Sequence, residues 1–370
     1  MRRLMLAVAM FGAANSVGIA QVPLNREDAM NFPSRHAWNL FLLLNHPAKD
    51  PKSGERGIAD LSKKIGAAAT TTVWETWREA TPEVFKADGS RPPNDFNEMT
   101  LISEFPNAKV PEPSKKRLIA ALNEQVANIG TMRPLFNPVE GIGQPGEGGF
   151  GETRMNKSTY DFILRHNLYN VGGQAAYAKE VIAGTKPPIS FDVESMEVKA
   201  AWKELTPDQL AKGDEKRYYL AEYNGKKYGL ATLHIITKDV PNWFWTSFHH
   251  KDSPGSGFET PDKFGQPSSL KGTVWENYVL SGTQTDFVDS VGRPTLLSDG
   301  YIEQDFLRSS CISCHARATR APDGGRLGSV PDVGVPSTAL FFDSNGKLLR
   351  AQMDFLFSLA ARAQPQPTPQ

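Results

Sequence analysis

The stretch Ser310-Cys311-Ile312-Ser313-Cys314-His315, near the end of the chain, organises the interpretation of the whole sequence. Cys-x-x-Cys-His is the attachment signature of a c-type haem. Two thiols add to the two vinyl groups of the porphyrin, and the histidine gives the iron an imidazole nitrogen from one face. On a helix Cys311, Cys314 and His315 share one face. The motif predicts one covalent haem c, with Cys311 and Cys314 as its thioether residues and His315 as the proximal iron ligand.

Two cysteines at this spacing have three other possible roles. A thioredoxin-like dithiol motif follows a strand and opens a helix. Here Ile302, Phe306 and Leu307 recur at helical spacing, so we expect a helix before the motif, with the cysteines late in it. A structural zinc site needs four ligands, but the chain has only 2 cysteines. A plain disulfide would give His315 no role. Haem attachment is favoured over all three.

The N-terminus carries an export signal. Met1-Arg2-Arg3 is followed by an apolar run to about Ala14 and then by small residues at 18–20. This is the pattern of a signal peptide over 1–20, and we expect cleavage after about Ala20. The run is too short to span a bilayer well, and no later segment is apolar enough for a membrane span. Haem c is attached to exported chains, so motif and signal together predict a periplasmic protein.

Composition narrows the classes of partner. The chain has 370 residues, 41 Lys+Arg and 41 Asp+Glu, and its pI is near 7.1. This balance gives no indication of nucleic acid or of an anionic membrane as partner. A hydrophobic content of 39% suits a globular protein with a real core, in one large domain or two.

Patterns along the chain predict an α+β fold. We expect a mainly helical region over 21–187 and a β-rich region over 188–298 that forms part of the haem pocket. A haem attachment segment follows over 299–362, with a disordered tail over 363–370.

Individual elements follow from periodicity and capping signals. Predicted helices cover 36–45, 114–129, 158–168, 174–183, 207–212 and 353–361. The glycine-rich stretch 139–154 lacks the ending of a phosphate loop, so we expect an irregular loop there. Asn224-Gly225 predicts a hairpin. Trp74 and Trp77, three residues apart, are expected in the core.

A ring-rich strand is predicted from Trp243 to Asp252. Alternation places Trp245, Ser247 and His249 on one face and Phe244, Phe248 and His250 on the other. Such a strand suits the wall of a haem pocket. The alternative is a sandwich core whose exposed end happens to be His-His.

The sequence offers several candidates for the sixth iron ligand and does not choose among them. Met353 lies 38 residues beyond His315, as in small cytochrome c domains, but at the start of a predicted helix. An upstream ligand from His250, His249 or His234 is equally favoured, and an open site would permit gas binding or peroxide chemistry. Arg317, Arg320 and Arg326 are either propionate partners or solvated.

The chain resembles a broad group of bacterial cytochrome c family proteins. The resemblance is carried by Trp243–Phe248 with His250-Lys251-Asp252, by Ser309–Ala318 and by Asp354-Phe355, and upstream by Trp74–Trp77. It implies a periplasmic mono-haem protein whose usual assignment is electron transfer. It also implies a regular place for His250 in the pattern, but none for Met353.

Three functions follow as hypotheses. The first is electron transfer between redox partner proteins. The second is a haem enzyme or small-ligand sensor with an open distal side, which the length of the chain favours. The third is a thiol-disulfide oxidoreductase that uses the two cysteines without haem.

Overall fold

An antiparallel sheet of seven strands lies at the centre of the fold. The computed structural model describes residues 25–50, 56–68, 70–98, 149–223, 226–303 and 306–366. The strands are β1 (Arg78–Glu79), β2 (Gly149–Met155), β3 (Met196–Glu204), β4 (Leu220–Tyr223), β5 (Lys226–Thr237), β6 (Phe244–His250) and β7 (Tyr278–Gln284). They lie in the order β1-β2-β3-β5-β6-β7, and β4 pairs with the start of β5. β8 (Thr319–Arg320) and β9 (Ala351–Gln352) form a separate antiparallel pair.

Helices pack around this sheet, so the fold is of the mixed α+β class, as expected. The α-helices are α1 (Arg26–Asn31), α2 (Pro33–Leu44), α3 (Lys157–Arg165), α4 (Val171–Ile182), α5 (Pro207–Ala211), α6 (Cys311–His315) and α7 (Phe357–Arg362). Short 3₁₀ turns cover Trp74–Thr76, Asp214–Arg217, Ser268–Leu270, Val274–Asn277 and Thr338–Leu340, and a π turn covers Ala80–Val84. In the described ranges, none of the helices combines the length and the apolarity needed to cross a membrane.

Helix α2 covers one face of the sheet with aromatic side chains. Phe41 is fully buried, and its ring centroid lies 4.5 Å from that of Phe248 on β6 and 5.6 Å from that of Trp275. Trp38 packs on Phe248 at 5.0 Å in an edge-to-face arrangement. Such pairs contribute about 0.5–1.5 kcal/mol each beyond their burial. This face of the sheet is therefore a closed aromatic core.

Several elements that short sequence patterns predict are confirmed. Thr206 caps α5 with a capping box, and β4 and β5 form the predicted hairpin with Tyr223 opposite Lys226. Trp74 and Trp77 are buried, as expected of core residues. The helix predicted over 114–129 lies outside the described residues.

Other predictions are wrong at particular places. Residues 149–155, the end of the glycine-rich stretch, form strand β2 rather than a loop, and β1 and β2 extend the sheet into the region expected to be mainly helical. The closing helix begins at Phe357, not at 353, because Asp354 and Phe355 adopt positive φ angles of 45° and 70°. Residues 364–366 of the tail expected to be disordered lie within the described residues, and Gln364 pairs there with Asn170 in a parallel bridge.

The aromatic core under α2 is the basis of the first prediction. Phe41→Ala should lower the free energy of unfolding by about 3–5 kcal/mol, because it leaves a cavity between Trp38, Phe248 and Trp275. Equilibrium unfolding in urea measures this change. Phe264→Ala is the matched control, since Phe264 is 51% exposed and its removal should change stability by less than about 0.5 kcal/mol. Equal effects of the two substitutions would contradict the packing described here.

Candidate functional site

The Cys-x-x-Cys-His motif forms helix α6 and is tied to the end of β7. The hydroxyl of Ser310 caps the helix by accepting from the backbone N–H of Ser313 at 3.4 Å. The Gln284 side chain donates to Ser310 Oγ at 2.7 Å and accepts from the Ile312 N–H at 3.0 Å. All four residues are buried. The sheet thus fixes where the motif begins and which way its helix points.

The motif opens its helix, which corrects the expectation that the cysteines fall late in one. The Asp299 carboxylate accepts the N–H groups of Tyr301 and Ile302 at 2.8 and 3.1 Å, and this local bonding competes with a continuing helix. Leu297 then pairs with Ser310 in a parallel bridge. The position of the cysteines in the helix therefore does not distinguish a haem attachment site from a thioredoxin-like dithiol. The surroundings of the two thiols provide that distinction.

A cavity of about 760 Å³ lies between the motif and the face of the sheet opposite α2. Its volume is within the range of about 300–1,000 Å³ that small-molecule and cofactor sites occupy. Strands β3, β5 and β6 form its floor, and α6, α7 and nearby loops form its walls. Its lining includes Glu197, Lys199, His234, Trp245, Ser247, Glu303, Phe306, Cys311, Cys314, His315, Arg326, Phe357, Ser358 and Arg362.

His315 is held in one tautomer at the wall of this cavity. Its Nδ1 lies 2.8 Å from the carbonyl oxygen of Phe355, which can only accept, so Nδ1 carries the proton. Nε2 is therefore unprotonated and its lone pair is available, which is the arrangement found in metal-ligating histidines. The ring lies between Trp245 and Phe357, with centroids at 4.6 and 5.2 Å. Burial lowers the pKa of His315 to about 4, so the imidazole is neutral near pH 7.

The Asp354-Phe355 pair explains how that carbonyl reaches His315. Both residues have positive φ, a conformation that is uncommon without glycine and that surrounding contacts must hold. Asp354 is held by Lys238 Nζ at 2.7 Å and by the N–H of Phe191 at 2.8 Å. The turn thus positions the His315 ring, although neither the Asp354 nor the Phe355 side chain lines the cavity.

The two thiols are free and poorly suited to redox chemistry of their own. Cys311 Sγ donates to the Leu297 carbonyl at 3.2 Å, and Cys314 Sγ donates to the Val330 carbonyl at 3.1 Å. Burial raises the pKa of the Cys311 thiol well above its usual range and also raises that of Cys314. A reactive dithiol needs a lowered pKa. The environment of these thiols therefore argues against thiol-disulfide exchange.

His234 stands on the floor of the same cavity. The register pairs it with Lys199 of β3 on one side and with Ser247 of β6 on the other, so the three side chains form a row across the sheet. His234 Nε2 lies 3.5 Å from Asp299 Oδ2. His234, Asp299 and Glu303 together bring ligand-type atoms within 4.8 Å of one another.

Charged groups occupy other parts of the wall. Lys199, Arg326 and Arg362 all line the cavity. Glu197 also lines it, with the Ser358 hydroxyl 2.7 and 2.8 Å from its two carboxylate oxygens. Burial raises the pKa of Glu197 to about 7. The cavity thus combines an aromatic region around His315 with several cationic side chains.

The structure places His250 on the other face of the sheet, away from this cavity. It is fully buried, and its ring stacks on Tyr218 with centroids 3.7 Å apart. Its Nε2 donates to the Arg217 carbonyl at 3.0 Å, and its Nδ1 accepts from the Asp252 N–H at 3.1 Å. Both ring nitrogens are bonded and His250 does not line the cavity, so the structure does not support it as a candidate sixth ligand and gives it a structural role instead.

Of the remaining residues that the sequence offered as iron ligands or propionate partners, only some line the cavity. Met353 is fully buried in the core and does not line the cavity, and His249 turns its Nδ1 to Ser281 Oγ at 2.7 Å. Of the three arginines, Arg326 lines the cavity. Arg320 instead bonds Gln174, and Arg317 lies 3.7 Å from Asp332.

Sequence reasoning missed Glu197 and Arg362, which line the cavity, and Asp299, which lies beside the cavity-lining His234. Cross-strand register and loop packing bring these residues to the site, and a single sequence displays neither. Comparison of the chain with family models, curated proteins and solved structures found no match.

The cap on α6 gives the second prediction. Ser310→Ala should lower the free energy of unfolding by about 1–3 kcal/mol, because α6 loses its cap and the buried Gln284 amide loses one of its acceptors, keeping only those of Thr295. Urea unfolding measures the change, and Ser344→Ala, at an exposed position, is the control. If both variants kept the stability of the parent protein, Ser310 would not be the anchor of the motif.

Proposed function

We propose that this protein is an exported mono-haem c-type cytochrome that transfers electrons in the periplasm. The observation that carries the proposal is the meeting of Cys311, Cys314 and His315 at the wall of one cavity, with the His315 tautomer already set for a metal. The bound haem would supply one-electron iron chemistry. The export part rests on residues 1–20, which lie outside the described residues.

The residues around the cavity fit such a group. Trp245 and Phe357 flank His315 and would keep water from the proximal side of the iron. A c-type haem carries two propionate carboxylates, and Lys199, Arg326 and Arg362 offer cationic partners for charge-assisted hydrogen bonds. Phe306, 39% exposed, lies at the cavity's edge, where a redox partner protein could approach the haem.

Replacing both cysteines tests covalent attachment. Cys311→Ala with Cys314→Ala, exported together with a haem attachment system, should lose all haem that survives denaturation. A haem stain after denaturing electrophoresis measures it, and the two single variants are the matched controls because each keeps one possible thioether bond.

Three results would count against this function. Covalent haem in the double variant would contradict the role of the cysteines. Absence of haem from the parent protein would remove the proposal altogether and return attention to the thiols. Rapid, complete binding of carbon monoxide by the reduced parent protein would instead favour a haem enzyme or sensor with an open distal side.

A further inference from the structure

We infer that His234 would hold the haem iron together with His315, as its second protein ligand; this inference rests on the proposed function. All 7 histidines of the chain lie within the described ranges, so their positions can be compared directly. Of these, His234 and His315 are the two that line the cavity. They belong to different walls, since His234 is on the sheet and His315 is on α6.

The immediate surroundings of His234 leave a ring nitrogen in need of a partner. Its Nε2 is buried and lies 3.5 Å from Asp299 Oδ2, so this nitrogen faces the carboxylate. Among the described residues, Nδ1 has no hydrogen-bond partner and is not fully buried, so it is the ring nitrogen left for a group in the cavity. Neutral imidazole is a good ligand for haem iron. An iron in this cavity would give the His234 ring the bond that the protein does not supply.

Asp299 is built to hold His234 in place. Its Oδ2 accepts from Thr232 Oγ1 at 2.6 Å and from Ser247 Oγ at 3.2 Å, while Oδ1 accepts the two backbone N–H groups of the turn that follows. Oδ2 also lies 3.5 Å from His234 Nε2. A carboxylate fixed at one ring nitrogen is the usual outer-shell partner of a histidine that binds a metal through its other nitrogen.

The same contacts argue against a separate metal ion at His234, Asp299 and Glu303. Four donors already use the carboxylate oxygens of Asp299, and Glu303 Oε2 accepts the Asp299 N–H at 2.7 Å. Direct binding of a cation would have to displace these bonds. The group therefore serves better as support for one imidazole than as a three-ligand metal site.

Other donors are less suited to the second axial position. His250 and Met353 do not line the cavity, and both ring nitrogens of His250 are bonded. Lys199 lies beside His234 in the same row, but a lysine must lose its proton before it can bind iron. Carboxylates such as Glu197 are harder ligands, better matched to Mg²⁺, Ca²⁺ and Mn²⁺ than to a low-spin haem.

The test is the spin state of the holoprotein with and without His234. In the parent protein we expect six-coordinate, low-spin optical and electron paramagnetic resonance spectra, and a reduced form that does not readily bind carbon monoxide. His234→Ala should lose the low-spin signal and bind carbon monoxide readily, while covalent haem is retained. Added imidazole should restore the low-spin spectrum, a rescue that a purely structural defect would not show.

His249→Ala is the matched control, since His249 lies on a neighbouring strand but outside the cavity lining. It should keep the low-spin spectrum. The inference is overturned if His234→Ala stays low-spin, and also if the parent protein is high-spin; loss of the signal in Lys199→Ala alone would assign the position to lysine. A protein without covalent haem would instead refute the proposed function, so the two failures are distinguishable.

Discussion

The hydrogen bonds between Gln284 and the start of α6 are the constraint on which the site depends. Helix α6 has 5 residues, and a helix so short is not stable by itself in water. Gln284 holds it from the last position of β7 through Ser310 Oγ and the Ile312 N–H. The direction in which Cys311, Cys314 and His315 face is therefore set by the edge of the sheet and not by the motif.

The sheet divides the molecule into two chemically different sides. On one side Phe248 packs under α2, and the two ring nitrogens of His250 form hydrogen bonds with the Arg217 carbonyl and the Asp252 N–H. On the other side Trp245 packs against His315, and Ser247 bonds Asp299. Strand β6 contributes to both sides because its side chains alternate. Two adjacent histidines, His249 and His250, thus have unrelated surroundings.

Local signals in the sequence predicted much of this arrangement. The Cys-x-x-Cys-His motif, the Thr206 cap, the hairpin at Asn224-Gly225 and the alternation along β6 depend on neighbouring residues, and the structure agrees with the cap, the hairpin and the alternation.

The errors occurred where distant contacts decide the conformation. A turn at Asp299 lies where a helix was expected before the motif, and the Asp299 carboxylate is held by Thr232 of strand β5. His234 could not be distinguished from His250 as a candidate, because only the register between β3, β5 and β6 shows which of them faces α6. The register between strands cannot be derived from a single sequence.

The contacts of the thiols also bear on haem attachment. In this fold Cys311 Sγ and Cys314 Sγ donate to backbone carbonyls, yet both residues are only partly buried and line the cavity. When a thiol adds across a vinyl group, its proton goes to the vinyl carbon and the sulfur becomes a thioether with no proton to donate. If haem is attached as we propose, both sulfurs therefore give up their hydrogen bonds to the Leu297 and Val330 carbonyls. Helix α6 would then be held by the haem as well as by Gln284.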